Sequence, residues 1–298
     1  MNPPVKEFGQ FPLYNFYEAV RGDPHRNRQL MCDELLMTEF TCPLEGRIQA
    51  LWSHHNYIVY VLDGKKVWHT PSRAFELTKD SCVFVRKGAS IVEQFFDAEF
   101  CGLIFFIPDD FICETLRPLE VKPLKSTDTH APVIPVQTDE ILAAFMHAML
   151  PYFTRSPKPD KSLLQLKFRE LLLNVADNRH NLEALSYFCS LLHEPAAISL
   201  RKIMEDNFCY NLKLEEYARL CNRSLSAFKR DFQKTYDQPP GKWLLERRLA
   251  HARLLLMNAN LSVSEVAYDS GFENFSHFSR AFRQHFGTPP ATYRQQVA

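Results

Sequence analysis

At 298 residues and 46% hydrophobic side chains, the chain is long enough for about two domains and supplies an ample core. Its 35 basic and 35 acidic residues cancel, which excludes a uniformly basic coating protein of nucleic acids. The longest apolar run, near Leu103–Ile107, is far too short to span a bilayer.

The amino terminus, MNPPVKEFGQFPLYNF, lacks a basic start followed by an apolar run, so no secretory leader is expected. The eight cysteines, at 32, 42, 82, 101, 113, 189, 209 and 221, form no C-x-x-C pair, and Cys82, Cys101 and Cys221 sit in apolar runs. Buried reduced thiols in a cytoplasmic protein account for them, with a redox-sensing pair left open.

Residues 1 to about 116 read as β-rich. Tyr57–Leu62 is a strand ending at the turn signal Asp63-Gly64, and Lys65–His69 is the expected return strand of that hairpin. Phe75–Leu77, Ser81–Val85, Ile91–Phe96 and Glu99–Ile107 follow as short strands, and Pro108 stops the last. Close spacing with turn signals predicts a barrel or sandwich. Trp52, Tyr57, Tyr60, Trp68, Phe75 and Phe84 serve either as core or as the lining of a small-ligand pocket. His54, His55 and His69 invite a metal, but the H-x-H then E spacing of catalytic barrels is absent and no later strand supplies a further His. They read as surface or partly packed histidines, with no metal and no cofactor expected.

From Arg117 to Gln137 prolines cluster and a loop or extended crossing is expected. Helices at about 138–192 come next. Ile141, Phe145, Ala148 and Met149 form one stripe ended by Pro151; Leu163, Leu166, Leu171, Leu172 and Val175 form a second; Leu182–Leu192 is a third. Leu163, Leu164, Phe168 and Leu171 either pack on the strands of their own subunit or form a dimer seam. His193–Pro195 marks the domain boundary, and Ala196–Phe208 opens the next domain with Ile198, Ile203 and Met204 or Phe208 inward. From Glu194 onward lie 15 basic and 11 acidic residues, an excess of four that the preceding residues reverse.

The last hundred residues carry one pattern twice. Leu214–Leu244 is LEEYARLCNRSLSAFKRDFQKTYDQPPGKWL and Val263–Arg294 is VSEVAYDSGFENFSHFSRAFRQHFGTPPATYR. At an offset of fifty, Ser226, Phe228, Arg230, Phe232, Pro239 and Pro240 meet Ser276, Phe278, Arg280, Phe282, Pro289 and Pro290. Upstream the offset is forty-nine, pairing Ala218 with Ala267, so the second turn holds one extra residue. Each copy reads as helix, tight turn, helix, with Asn222 and Gly271 placed for a left-handed turn. The second helices bury Leu225, Phe228 and Phe232, and Phe275, Phe278 and Phe282; each ends before a Pro-Pro pair. Between the motifs, about 213–237 and 262–287, a helix from Pro240 to about Asn258 would span about 28 Å. Its Arg247, Arg248 and Arg253 either contact phosphate or pair with acids such as Glu246.

The opposite stripe of each second helix is polar: Ser226, Lys229, Arg230 and Gln233 in one, Ser276, Ser279, Arg280 and Arg283 in the other. Arg and Lys donate to guanine O6 and N7, Gln pairs with adenine and Ser is adaptable, so this face suits the major groove. Asn274, His277, Arg283 and Gln284 lie nearer the phosphate side.

The double motif resembles the arabinose-regulator-type (AraC/XylS) transcription factors. The matching residues are Ala218, Ser226, Phe228, Arg230 and Phe232, then Ala267, Gly271-Phe272, Phe278, Arg280, Phe282, Gly287, Pro289-Pro290 and Tyr293-Arg294. Asn222 and Asp237 stand where the family usually has Gly. The amino-terminal half shows a slight likeness to the subgroup that activates virulence secretion genes. The resemblance implies an α+β fold: a small cupin-like β-barrel with following helices in 1–193, and an all-α domain of two helix-turn-helix motifs joined by a linker helix in 194–298. It implies a sequence-specific regulator of transcription, an activator rather than an enzyme. Its partners would be double-stranded DNA, RNA polymerase, a second subunit, and a small-molecule effector or regulatory protein, with no membrane. The competing class is a catalyst joined to a DNA module. A cupin-type metalloenzyme lacks its metal set here, and a repair alkyltransferase lacks its four-cysteine zinc set and reactive Cys motif.

Overall fold

The computed structural model describes residues 12–41, 46–70, 73–95, 99–119, 130–193, 196–258 and 260–297. Two compact units divide the chain, one of them Tyr14–Pro195 and the other containing Ala196–Ala298. The fold class is α+β.

The amino-terminal unit is built on eleven strands among the described residues: β1 Leu13–Asn15, β2 Arg28–Cys32, β3 Leu35–Thr41, β4 Ile48–Ser53, β5 Asn56–Asp63, β6 Lys66–His69, β7 Ala74–Leu77, β8 Cys82–Val85, β9 Gly88–Gln94, β10 Cys101–Ile107 and β11 Val133–Val136. They form two sheets, of order β1-β4-β9-β6-β7 and β11-β8-β5-β10-β3-β2. Neither sheet closes on itself or on the other, so the expected barrel is corrected to a pair of open sheets. Alternate side chains of β5 explain the layering. Tyr57, Val59 and Val61 face the other sheet, meeting Leu51, Trp68 and Val92, while Ile58 and Tyr60 face helices on the far side. Both faces of β5 are covered, which is why YIVYV runs without polar alternation.

The expected hairpin of Tyr57–Leu62 with Lys65–His69 does not form. β5 pairs with β10 and β8, whereas β6 pairs with β9 and β7. Asp63-Gly64 is a crossing between sheets. Gly64 has φ 79° and passes so close to Glu99 and Phe100 that an added Cβ would lie 2.5 Å from the Glu99 carbonyl oxygen. The fully packed space between the sheets leaves a cavity of about 10 Å³ beside Lys66 and Trp68. The aromatic residues there are core and line no ligand chamber of useful size.

Helices cover the outer face of the six-stranded sheet: α2 Asp109–Leu116, α3 Glu140–Thr154, α4 Lys161–Asp177 and α5 Leu182–His193, while α1 Phe16–Gly22 packs Phe16, Tyr17 and Val20 between the sheets. In α3 the inward stripe is Leu142, Phe145, Met146 and Met149; Ile141 and Ala148 are exposed, and the helix continues through Pro151. In α4, Leu164, Phe168 and Leu171 join the core of their own unit together with Leu172 and Val175, so these three are not a free dimer seam; Leu166 is exposed and Leu163 half-buried. The segment read as a loop over 117–137 contains β11, and its residues 120–129 lie outside the described set, as do Phe96 and Cys42.

A buried polar hub ties these layers together. Lys87 Nζ lies 2.6 Å from Asp109 Oδ2. Asn56 Nδ2 donates to Asp109 Oδ1 (2.7 Å), and Asn56 Oδ1 accepts from the Lys87 N–H (3.0 Å) and the Tyr187 hydroxyl (2.9 Å). The first residue of β5, the entry to β9, the start of α2 and the middle of α5 thus share one network.

Of the three histidines, expected at the surface or partly packed, His54 is half-buried while His55 and His69 are buried. His69 is buried, with Nε2 3.0 Å from Glu93 Oε2, while Arg47 Nε donates to the other carboxylate oxygen at 2.9 Å. His54 and His55 pack edge-on against Tyr17. Among the described residues no three His, Cys, Asp or Glu side chains gather so as to hold a metal ion. Every described cysteine is a free thiol, and burial pushes Cys82 and Cys209 up to about 12, which keeps them protonated and unreactive. No helix of the described residues is long and apolar enough to cross a membrane.

The carboxy-terminal unit is all helix: α6 Ala196–Asn207, α7 Leu214–Leu220, α8 Leu225–Tyr236, α9 Pro240–Leu255, α10 Val263–Asp269, α11 Phe275–Phe286 and α12 Pro290–Val297. From α6, Ile203 and Met204 are buried, as is Phe208 just beyond it; the Ile198 side chain lies outside the described set.

Candidate nucleic-acid interface

The two copies fold by the same local rules. α7 ends in a Schellman turn: the Asn222 N–H bonds to the Arg219 carbonyl (3.0 Å) and the Arg223 N–H to the Ala218 carbonyl (2.9 Å). α10 ends identically, with Gly271 N–H on Tyr268 (2.9 Å) and Phe272 N–H on Ala267 (3.1 Å). This motif needs a left-handed residue just past the helix, and Asn222 (φ 52°) and Gly271 (φ 86°) supply it. Two residues then separate the cap of α7, Cys221, from the N-cap of α8, Ser224; three separate Ser270 from Asn274. The extra residue read from the offset is therefore in the turn.

Each second helix is capped at both ends. Ser224 Oγ accepts from the Ala227 N–H (3.3 Å), and Asn274 Oδ1 accepts from Ser276 (2.8 Å) and His277 (3.2 Å). Left-handed Asp237 and Gly287 close them. Phe228, Phe232, Phe278 and Phe282 are fully buried. With these rows turned inward, the residues a quarter to half a turn around the helix face out. Ser226, Lys229, Arg230 and Gln233 are exposed on α8, and Ser276, His277, Arg280 and Arg283 on α11. The burial pattern of 231–240 repeats position by position over 281–290. Two expected core residues fall elsewhere: Leu225 is half-buried and Phe275 is 39% exposed at the outer edge of α11. Ser279 is half-buried, and Asn274 is engaged in capping through its side-chain oxygen.

The linker arginines do structural work rather than pair with Glu246, which meets Lys242 at 3.8 Å. Arg247 Nε donates to Glu205 (2.8 Å) and lies over the Phe208 ring. Arg248 donates to the carbonyls of Phe208 and Tyr210, both at 2.8 Å. Arg253 lies over the Phe286 ring. The first two fasten α9 to the end of α6. At the foot of α11 a concavity of about 550 Å³ is lined by Arg248, Phe272, Asn274, Ser276, His277 and Arg280. α9 is 16 residues long, about 24 Å, shorter than the span expected to Asn258.

Sequence reading missed Asp231 on α8, whose carboxylate meets Arg223 Nε at 3.1 Å and Arg230 Nε at 3.5 Å. The signal was present in the aligned repeat, where Asp231 stands against Ala281 and Arg223 against Phe272. Phe272 is buried against Phe278 at 5.1 Å, so one copy braces its turn with an aromatic ring and the other with an ion pair.

Comparison with known proteins adds to this geometry. A helix-turn-helix domain model matches residues 217–296, and a model of the ExsA N-terminal regulatory domain matches residues 56–187. The virulence regulon transcriptional activator VirF of Yersinia enterocolitica is 27% identical over 267 residues, covering 88% of this chain and 96% of the relative. The chain belongs to the AraC/XylS family. Two other relatives within reach are the thermoregulatory protein LcrF of Yersinia pestis, 27% identical over 265 residues, 88% of this chain and 96% of its own, and the HTH-type transcriptional regulator ExsA of Pseudomonas aeruginosa, 24% identical over 262 residues, 76% of this chain and 91% of its own. As an AraC/XylS member the chain is a sequence-specific DNA-binding transcription regulator, and its relatives are regulators rather than enzymes.

The linker of this AraC/XylS domain also carries a titrating group. Burial, and then the Arg247 guanidinium, hold the His251 imidazole below its ordinary 6.5. The unfolded chain therefore takes up the proton first, so stability is unaffected above about pH 6.5 and is lost as pH falls through that value. His251→Gln is expected to flatten this acid-side loss, measured as the melting temperature of the carboxy-terminal helices between about pH 7.5 and about pH 5.5.

Proposed function

We propose that this protein is a transcriptional activator whose residues 194–298 read two adjacent major grooves while residues 1–193 control it. The observation that carries the reading is the repeated exposed face, Ser226, Lys229, Arg230 and Gln233 on α8 and Ser276, His277, Arg280 and Arg283 on α11, each backed by buried Phe pairs. Arg230 and Arg280 are the base readers; Asn274 and His277 sit where phosphate passes the start of α11. The 16-residue α9 is a rigid spacer suited to holding the two helices at about one DNA turn, about 34 Å. Activation follows VirF, a virulence regulon transcriptional activator. It implies RNA polymerase as a partner, a cytoplasmic location and, as the two-subunit form, a homodimer.

Control by a small ligand or a protein partner would act through the amino-terminal unit. A groove of about 740 Å³ lies there, outside the space between the sheets, lined among others by Tyr60, Asp80, Cys82, Asp139 and His147.

Binding of a selected duplex and of its scrambled counterpart by fluorescence anisotropy tests the reading role. Arg280→Ala is expected to weaken specific binding by about 1–3 kcal/mol and leave the scrambled duplex nearly unchanged. Equal loss on both duplexes would make Arg280 a phosphate contact instead.

A further inference from the structure

We propose that Asp231 makes the two reading helices unequal: it orients and partly neutralises Arg230, so that α8 contributes base discrimination and α11 more of the electrostatic affinity. The inference rests on the DNA-reading function proposed above.

Three observations carry it. Asp231 is itself held from behind, because its Oδ2 meets Arg223 Nε at 3.1 Å and the Arg223 side chain is only 17% exposed. Its Oδ1 faces Arg230 Nε at 3.5 Å, while the Arg230 side chain is 77% exposed. A guanidinium that turns its Nε toward a carboxylate leaves both terminal nitrogens for the O6 and N7 of a guanine, the fork geometry a bidentate contact needs. Ordering it before DNA arrives lowers the rotamer entropy lost on binding.

α11 is built the other way. Ala281 stands where α8 has Asp231, and no acidic residue occurs between Phe275 and Phe286. Among the described residues Arg280 makes no hydrogen bond or ion pair. It stands exposed beside Arg283, and the Glu273 carboxylate that shares its concavity accepts from Asn211 rather than from Arg280. The exchange is coordinated: Arg223 with Asp231 in one copy replaces Phe272 with Ala281 in the other, so the turn is braced in both while only one brace reaches the reading face. Asp231 is a positioning residue, acting through Arg230.

The test uses the full-length protein. Duplexes selected from random DNA identify the two sub-motifs, the first being the one that Arg230→Ala relaxes. Asp231→Ala is expected to relax base preference in that sub-motif about five- to tenfold, leave the other sub-motif intact, and steepen the salt dependence of binding by about one counterion. Ala281→Asp, which leaves the Arg223 brace untouched, is expected to flatten the salt dependence by about one counterion. Unchanged preference and salt slope in Asp231→Ala overturn the inference. So does equal weakening of both sub-motifs with a lowered melting temperature, which marks a merely structural brace. A wild-type protein that selects no sequence overturns the DNA-reading function itself, and the inference falls with it.

Discussion

Asp109→Ala is expected to cost the amino-terminal unit about 3–5 kcal/mol, because it strands the Lys87 ammonium in a site where only 6% of that side chain is exposed. The carboxylate also accepts from Asn56 (2.7 Å), whose own oxygen serves Lys87 and Tyr187. Removing Asp109 therefore leaves a charge and an amide donor unsatisfied at once. Hydrogen exchange reads the effect locally. Peptides of β5 and β10 are expected to exchange more than about a hundredfold faster, with those of α7–α11 unchanged. The double change Lys87→Met with Asp109→Leu is expected to cost less, since it leaves the Asn56 amide donor but no charge unsatisfied. A loss below about 0.5 kcal/mol for Asp109→Ala would mean that the pair behaves as a surface ion pair.

Gly271→Ala is the second large effect. The residue sits at φ 86°, and an added Cβ would lie 2.7 Å from the Cys209 carbonyl oxygen and 2.9 Å from its carbon. Neither is the far end of a flexible side chain, and Arg248 pins the neighbouring carbonyls of Phe208 and Tyr210. Left-handed strain and the backbone clash together are expected to cost about 3 kcal/mol. Exchange in α10 and α11 should accelerate and recognition by Arg280 should be lost. Asn222→Gly, at the equivalent turn of the first motif, is expected to change stability by less than about 1 kcal/mol, since Gly takes that conformation freely. Equal tolerance of both changes would show that the second turn does not bear on Cys209.

These contrasts show which parts of the molecule were legible. The repeat was readable because its requirements are local: Asn222, Gly271, Asp237 and Gly287 all take the left-handed backbone that ends a helix, and Phe228, Phe232, Phe278 and Phe282 all turn inward. Strand pairing was not, because it is chosen by distant segments. Asp63-Gly64 has the composition of a hairpin turn, yet β5 gains more by pairing with β10 and β8 in the middle of its sheet. β2, β3 and β4 were missed although Pro43 and Gly46 punctuate the chain between β3 and β4. β11 was hidden by Pro135, which is tolerated because β11 is an edge strand. In α3, a stripe through Ile141 and one through Leu142 differ by a single residue, and only the sheet beneath selects the latter. Asp231 escaped notice because its one signal, the exchange of Arg223 and Asp231 for Phe272 and Ala281 between the copies, acquires meaning only once its two arginines are placed around it.

The most direct test of two-headed reading is selection of bound duplexes from random DNA by the full-length protein, repeated with Arg230→Ala and with Arg280→Ala. Two enriched sub-motifs about one helical turn apart, each relaxed by one of the two substitutions alone, are the expected result. A single sub-motif that neither substitution relaxes would contradict it.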